Sequence, residues 1–519
     1  MISRLKMKFL QVLVLVALAV TASFAVPELH AVSESDAISI WVMNNGSGSQ
    51  KALQRIVKKF YRDTGYRVSI RVMEWDDAFA EISRTLADQD SFAQIPDIVQ
   101  LGSTWIAHFA SLGQIRVVDS LVETLDSTRF FSESLKNSHI AGKPEFYSIP
   151  WFIDVRGMYA NEYLWRSLNL SVADVADYSK FLGTLRVVAK ANLKNRKGEP
   201  VAPFAMPGKD DWTSPQQMAP FIWSLGGDFI SESAGKFRSA LLDSNTLKGL
   251  ALYAQMLEDR ELAPNSLKEN SVQNTSRFLQ SQQLFLYGTS ELIRQMEFSE
   301  EGGLKNTPIA EDGIMMVAPP VGSAGSASVL GGSHLALPAK MDPAKKKAAE
   351  AFLVYLFRAD NLDNYSRHVG FLPADKSLIR VWNQDSRYSQ FVKNLESARG
   401  LPNIPEWGSI ESLMIGLSNS MGRALSEAGP AGGQNHQLAR LIVDTHKQIN
   451  VVLGFAENLD DSSAEENVAK ALSFRLEEIT PKNLNIESAE TSLDKNLVIA
   501  VLVGLLLVGL VAWFVLKQR

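Results

Sequence analysis

Between Tyr147 and Asn161 the chain reads YSIPWFIDVRGMYAN. The segment is apolar enough for a buried strand, yet Pro150 interrupts it and Asp154 and Arg156 sit in its middle. Proline lacks a backbone donor and belongs at strand starts, edges or bends, and a carboxylate inside an apolar strand needs a partner. The segment reads as a strand that passes from one environment to another. Tryptophan near a carboxylate recurs along the chain: Trp75 with Asp76, Trp223 with Asp228, and Trp407 four residues ahead of Glu411, a pair that shares one face of a helix. Trp105 and Asn45 stand at the ends of apolar strands. Broad rigid rings next to groups that fork onto hydroxyls suit a molecule with apolar C–H faces and a hydroxyl rim, which is a saccharide. A neutral sugar fits this set better than an amino acid, which needs a dedicated carboxylate clamp; a polyol, a phosphorylated sugar and a peptide stay open. Core packing is the competing reading for each ring, because large aromatic residues are mostly buried.

Catalytic patterns are missing. There is no GxSxG, HExxH or GxxxxGK[ST], and GSGS at Gly46 to Ser49 lacks the lysine of a phosphate loop. The 7 histidines are scattered without metal-ligand spacing. Asp76–Asp77 and Glu465–Glu466 are adjacent pairs of the kind that favour a helix start. The expectation is a binding protein and not an enzyme, with no cofactor and no metal. A net charge of -5, with no basic block longer than Lys345 to Lys347, gives no electrostatic case for nucleic acid.

The elements that position these residues follow from hydrophobic periodicity. AISIWVMNN is a strand ending at Asn45. In SQKALQRIVKKFYRDTG, Leu53, Ile56, Val57 and Phe60 recur at helical spacing and Gly65 stops the helix. YRVSIRVMEW alternates as a strand should, Phe79, Ile82 and Leu86 mark a helix, and PDIVQL is a further strand. Alternating strands and helices imply parallel strands with helical crossovers, whose ligands sit beyond the carboxyl ends of the strands. Those ends are Asn44 to Ser47, Glu74 to Asp76, and Gly102 to Trp105. With 519 residues, 46% of them hydrophobic, the chain should form at least two lobes.

The termini carry their own signals. Residues 1–25 have a basic start, an apolar run and small residues at Ser23 and Ala25, the layout of a secretory signal peptide. Cysteine is absent, so neither disulfides nor a lipidated N-terminal cysteine is available. Residues 456–495 are acidic and polar, with one helix expected after the capping-box pattern at Ser463 to Glu466 and a tether beyond it. Leu497 to Leu516 is an uncharged run that would reach roughly 30 Å as a helix. With Trp513 at an interface and Lys517 and Arg519 on the cytoplasmic side, this predicts a C-terminal transmembrane helix that anchors an exported body at the periplasmic or extracellular face of the membrane.

In order along the chain stand ISIWVMNN, KKFYRDTGYRVSIRVMEW, PDIVQLGSTWIAHFASLGQI, YSIPWFIDVRGMYANEYLW, FIWSLGGDFI and VLGGSHLALPAKMDPAKKKAAEAFLVYLF, then GFLP. From about Ile38 to Asn450 this resembles the family 1 extracellular solute-binding proteins, the maltose-binding-protein-like receptors of ABC importers. The resemblance implies an α/β fold of two lobes, the type II-like periplasmic-binding-protein architecture, with three hinge crossings. Lobe 1 would comprise residues 36–150 and 319–368, and lobe 2 residues 155–315 and 374–455. It implies that Pro150 bends the strand leaving lobe 1, that Trp151 and Asp154 face the cleft, and that Arg156 fixes the hinge or contacts the ligand. Thr289 in FLYGTSEL stands where the family often has an aromatic residue, and Gly332 in VLGGSHLALP belongs to the same cleft. Glu411 occupies the place of a sugar-stacking tryptophan, with Trp407 one turn away. These departures point away from maltodextrin as the ligand. The implied site is therefore Asn45, Trp75, Asp76, Trp105, Trp151, Asp154, Arg156, Trp223, Asp228, Thr289, Gly332, Trp407 and Glu411. The implied partners are a small molecule, expected to be a saccharide, and an ABC permease in the membrane, with the receptor a monomer. A sensing receptor that acts on a membrane signalling partner is the alternative.

Overall fold

The computed structural model describes residues 37–46, 48–87, 95–209, 211–297, 303–427 and 434–481. Strands β1 (Ile38–Met43), β2 (Val68–Met73) and β3 (Ile98–Gly102) lie parallel, with β1 between the other two. Helix Ser49–Thr64 connects the first pair and buries Ala52, Leu53, Ile56 and Phe60 as one stripe; Gly65 ends it at φ 80°, a left-handed conformation in which its N–H returns to the Tyr61 carbonyl. Helix Trp75–Ala87 follows β2 and presents Ala78, Ile82 and Leu86 to the core.

Strand β4 (Ile149–Val155) belongs to this same sheet, whereas β5 (Gly157–Asn161) belongs to another, so the chain changes sheets across the single residue Arg156. The remaining strands are β6 (Ile230–Ser233), β7 (Lys236–Ser239), β8 (Phe285–Gly288), β9 (Ile314–Val317), β10 (Ser328–Ala336), β11 (Leu372–Pro373) and β12 (Ala398–Arg399). The larger sheet has the order β11-β4-β10-β3-β1-β2 with β12 beside β10; the second is β8-β5-β9, and β6 pairs with β7 alone. Alternation of strands and helices implied parallel pairing, which holds for β1 to β3. Strand β10 runs antiparallel to both β3 and β4, because it returns from the smaller sheet after Val317. Opposite β10 the register slips: Ser333 faces Phe152 and His334 faces Pro150. Trp151 is thus the extra residue of a bulge, and the proline occupies a ladder position that tolerates a missing donor. Beyond Pro373 the chain passes a third time between the sheets, with helix Ser386–Asn394 packed on β9 and β5 before β12 rejoins β10.

Helices Trp407–Glu427 and Asp461–Ala471 pack on helix Ser244–Glu258, and helix Gln434–Val452 packs against both of them. Helix Asp461–Ala471 begins two residues ahead of the expected Ser463, whose hydroxyl donates to Asp460 at 2.6 Å. The helix, expected to run on through NVAKALSFRLEEI, ends at Ala471, and the stretch after it is docked, while the tether expected from Pro481 lies outside the described residues except for Pro481 itself. The Ile479 N–H donates to the Ser179 carbonyl at 3.0 Å, and Glu478 pairs with Arg186 at 2.9 Å.

Among the described residues no helix is long and apolar enough to cross a membrane. The expected fold class is corrected on that point: the two-lobed α/β architecture stands and the C-terminal transmembrane helix is withdrawn from it. That segment, Leu497 to Leu516, and the expected signal segment, residues 1–25, lie outside the described residues. The expectation rested on the length of an uncharged run, and such a run does not by itself establish a helix.

Candidate ligand-binding site

The passage between the two sheets places charged side chains together. Gly157 pairs with Gly288 in the antiparallel ladder of β5 and β8. The residues just ahead of β5, Asp154 to Arg156, therefore lie beside those just past β8, Thr289 to Glu291. Two hydrogen bonds hold this turn: Tyr159 donates its hydroxyl to the Thr289 carbonyl at 2.5 Å, and Ser290 donates to the Gly370 carbonyl at 2.8 Å. On the other flank the Arg156 N–H donates to the Val329 carbonyl at 3.0 Å.

Asp154 Oδ1 and Arg156 Nε are both buried without a hydrogen-bond partner among the described residues. Arg156 is only 7% exposed and enters no ion pair among the described residues. Burial raises the Asp154 carboxyl above its usual range, with the Arg156 charge pulling the other way. Glu291, half-buried, is pushed up to about 7, first by burial and then by the negative charge of Asp154; the Thr289 hydroxyl and Arg156 oppose this. Buried polar groups are nearly always paired, and Asp154 Oδ1 and Arg156 Nε are not.

A second wall stands at the carboxyl ends of β2 and β3. Trp75 and Trp105 are half-buried with ring centroids 5.6 Å apart, edge to face, and Phe79 backs Trp105 at 5.3 Å. Asp76 is exposed beside Asp77 in the first turn of its helix. Helix Trp407–Glu427 comes against Ser103–Trp105. On that helix Glu411 is half-buried and pushed up to about 7 by burial.

The structure places Trp151, Trp407, Trp223, Asp228, Asn45 and Gly332, also expected at the site, within the packing of the framework. Trp151 is fully buried and stacks on Tyr365 at 4.2 Å, because the bulge turns its ring into the core packed on the larger sheet. Trp407 is fully buried against Phe229 at 5.9 Å, and Trp223 is 4% exposed. Trp223 donates Nε1 to Asp228 at 3.1 Å, and Arg399 both covers its ring at 4.7 Å and pairs with Asp228 at 2.6 Å, so that carboxylate is already satisfied. Asn45 is buried and donates to Gln100 and Tyr365, each at 3.2 Å. Gly332 serves the backbone: its φ is +136°, and a Cβ there would meet the Phe152 carbonyl oxygen at 2.3 Å. Sequence reasoning missed Glu291, although a carboxylate two residues after the FLYGT strand end was available as the signal.

Residues 55–389 match the family described as bacterial extracellular solute-binding protein, which is more than half of the chain, and the chain belongs to that family. Its members and the structures it resembles are binding proteins. A solute-binding protein of an ABC transporter from Thermotoga lettingae, bound with alpha-D-tagatose, has a TM-score of 0.66 and 17% identity, covering 81% of this chain and 100% of that one. Maltose-bound T. maritima MalE3 has a TM-score of 0.62 and 16% identity, covering 84% of this chain and 99% of its own. The GacH receptor of Streptomyces glaucescens, solved unliganded and with acarbose, has a TM-score of 0.65 and 16% identity over 81% of this chain and 100% of its own. At such identities the likeness shows the fold. No curated protein sequence matches the chain.

Proposed function

We propose that this chain is a receptor for a sugar or oligosaccharide, which it holds at the passage from β4 to β5 and delivers to an ABC importer. The observation that supports this most is the pair Asp154 Oδ1 and Arg156 Nε, two buried atoms without a hydrogen-bond partner among the described residues, at the point where the chain leaves one sheet for the other. A ligand bound there touches both lobes, and a ligand that contacts both favours the closed arrangement over the open one. Hydroxyl groups both donate to a carboxylate and accept from a guanidinium, so a polyhydroxylated ligand satisfies the two groups together. Trp75 and Trp105 offer the apolar surface for a pyranose face. The family and the sugars named for the similar structures agree with this reading.

Calorimetric titration against mono- and oligosaccharides, amino acids and polyols tests it. Saccharide binding that is lost on Asp154→Asn and weakened on Trp75→Ala is the expected result. Binding of amino acids alone, or of nothing in the panel, would refute it. Permease and ATPase genes beside the gene for this chain are expected for import; a histidine kinase gene there would favour sensing.

A further inference from the structure

We propose that the site takes a sugar bearing a basic amino group, in preference to a neutral sugar and to the exclusion of a sugar acid; this rests on the receptor reading above. The argument is one of charge. The register of β5 and β8 gathers two carboxyl groups, Asp154 and Glu291, around one guanidinium, Arg156. Among the described residues the neighbouring elements supply no second unengaged cation. Arg294, on the same helix as Glu291, pairs with Glu297. Arg387, from helix Ser386–Asn394, pairs with Asp385 and Glu297. His368, at the end of helix Ala359–Val369, lies 2.6 Å from Arg55. The phenols Tyr159, Tyr287 and Tyr388 are held neutral by burial.

The trio thus carries one negative charge in excess in a desolvated place. Such a charge is costly there, and either a proton or a cation of the ligand neutralises it. Glu291 holding its proton up to about 7 is the first of these outcomes. An ammonium group is the second: it has three donors, and Asp154 Oδ1 is a buried acceptor with no donor among the described residues. A sugar acid would bring a third carboxylate beside two. Space for a substituent exists next to Asp154, because its partner in β10 is Gly331, where a Cβ would stand 3.9 Å from Asp154 Oδ2.

The test is calorimetry of the full chain at pH 7.5 with glucose, glucosamine, N-acetylglucosamine and glucuronate, and with their β-1,4-linked dimers and tetramers. Two buffers of different ionisation enthalpy count the protons exchanged. The amino sugars are expected to bind about tenfold or more tightly than their neutral counterparts, and the glucuronate series not at all. Glu291→Gln should narrow the amino preference to less than about threefold, since one of two attracting carboxyls is gone. Neutral sugars binding as well as amino sugars, or glucuronates binding best, would overturn this inference and leave the receptor reading standing. If no sugar of any series binds, the receptor reading fails with it.

Discussion

Glu291→Gln is the perturbation whose size follows most directly from the structure. In the folded protein burial and the Asp154 charge push the Glu291 carboxyl from 4.5 up to about 7. The folded state then binds a proton more tightly than the unfolded chain does. Between these two values the folded state holds more protons, so stability falls as pH rises through that window. The cost is absent below 4.5 and complete above about 7. Every tenfold difference in proton affinity between the folded and unfolded states corresponds to about 1.4 kcal/mol, so the full linkage is about 3 kcal/mol, reduced to roughly 1–3 kcal/mol because the side chain keeps some contact with solvent. Glutamine has the same shape without the charge and abolishes this dependence. Urea unfolding of both proteins at pH 5 and pH 8.5 measures it. Glu411 titrates in the same range and is present in both, so it cancels in the difference. The variant should gain roughly 1–3 kcal/mol on wild type between the two pH values. An advantage that is the same at both, or that shrinks at pH 8.5, would refute the placement of Glu291 as a desolvated neighbour of Asp154.

Trp151→Ala removes a fully buried ring stacked on Tyr365 and should cost about 3–5 kcal/mol in urea unfolding, with Trp151→Phe markedly milder; a stability near wild type for the alanine variant would return Trp151 to the cleft. Gly332→Ala places a Cβ 2.3 Å from the Phe152 carbonyl at φ +136° and should destabilise by about 1–3 kcal/mol or more. The neighbouring Gly331→Ala, whose nearest neighbour is 3.8 Å away, should unfold close to wild type. Gly183→Val drives a side chain into the Ile479 carbonyl, 2.1 Å from even the Cβ position; tryptic cleavage after Arg475 should accelerate while urea unfolding of the remaining fold changes little.

How much of this was legible in the sequence differs from element to element. Helix Ser49–Thr64 and its stop at Gly65, strands β1 to β3 and helix Trp75–Ala87 follow from periodicity and caps, which depend on residues a few positions apart. The change of environment within YSIPWFIDVRGMYAN was legible for the same reason: a proline and two charges interrupt an apolar strand within a few residues. The direction of the rings was not. Trp151 turns inward because β4 carries a bulge against β10, nearly two hundred positions away, and Trp223 is covered by Arg399 from a comparable distance. Glu291 shows no relation to Asp154 until the ladder of β5 and β8 sets Gly157 opposite Gly288. The sequence by itself determined the local elements, the family and the presence of charge in an apolar strand, because short-range sterics and hydrophobic period govern them. Only the tertiary structure decided which aromatic rings are core and which carboxyls lie near Arg156, because burial and electrostatic coupling depend on contacts between segments that the chain order does not bring together.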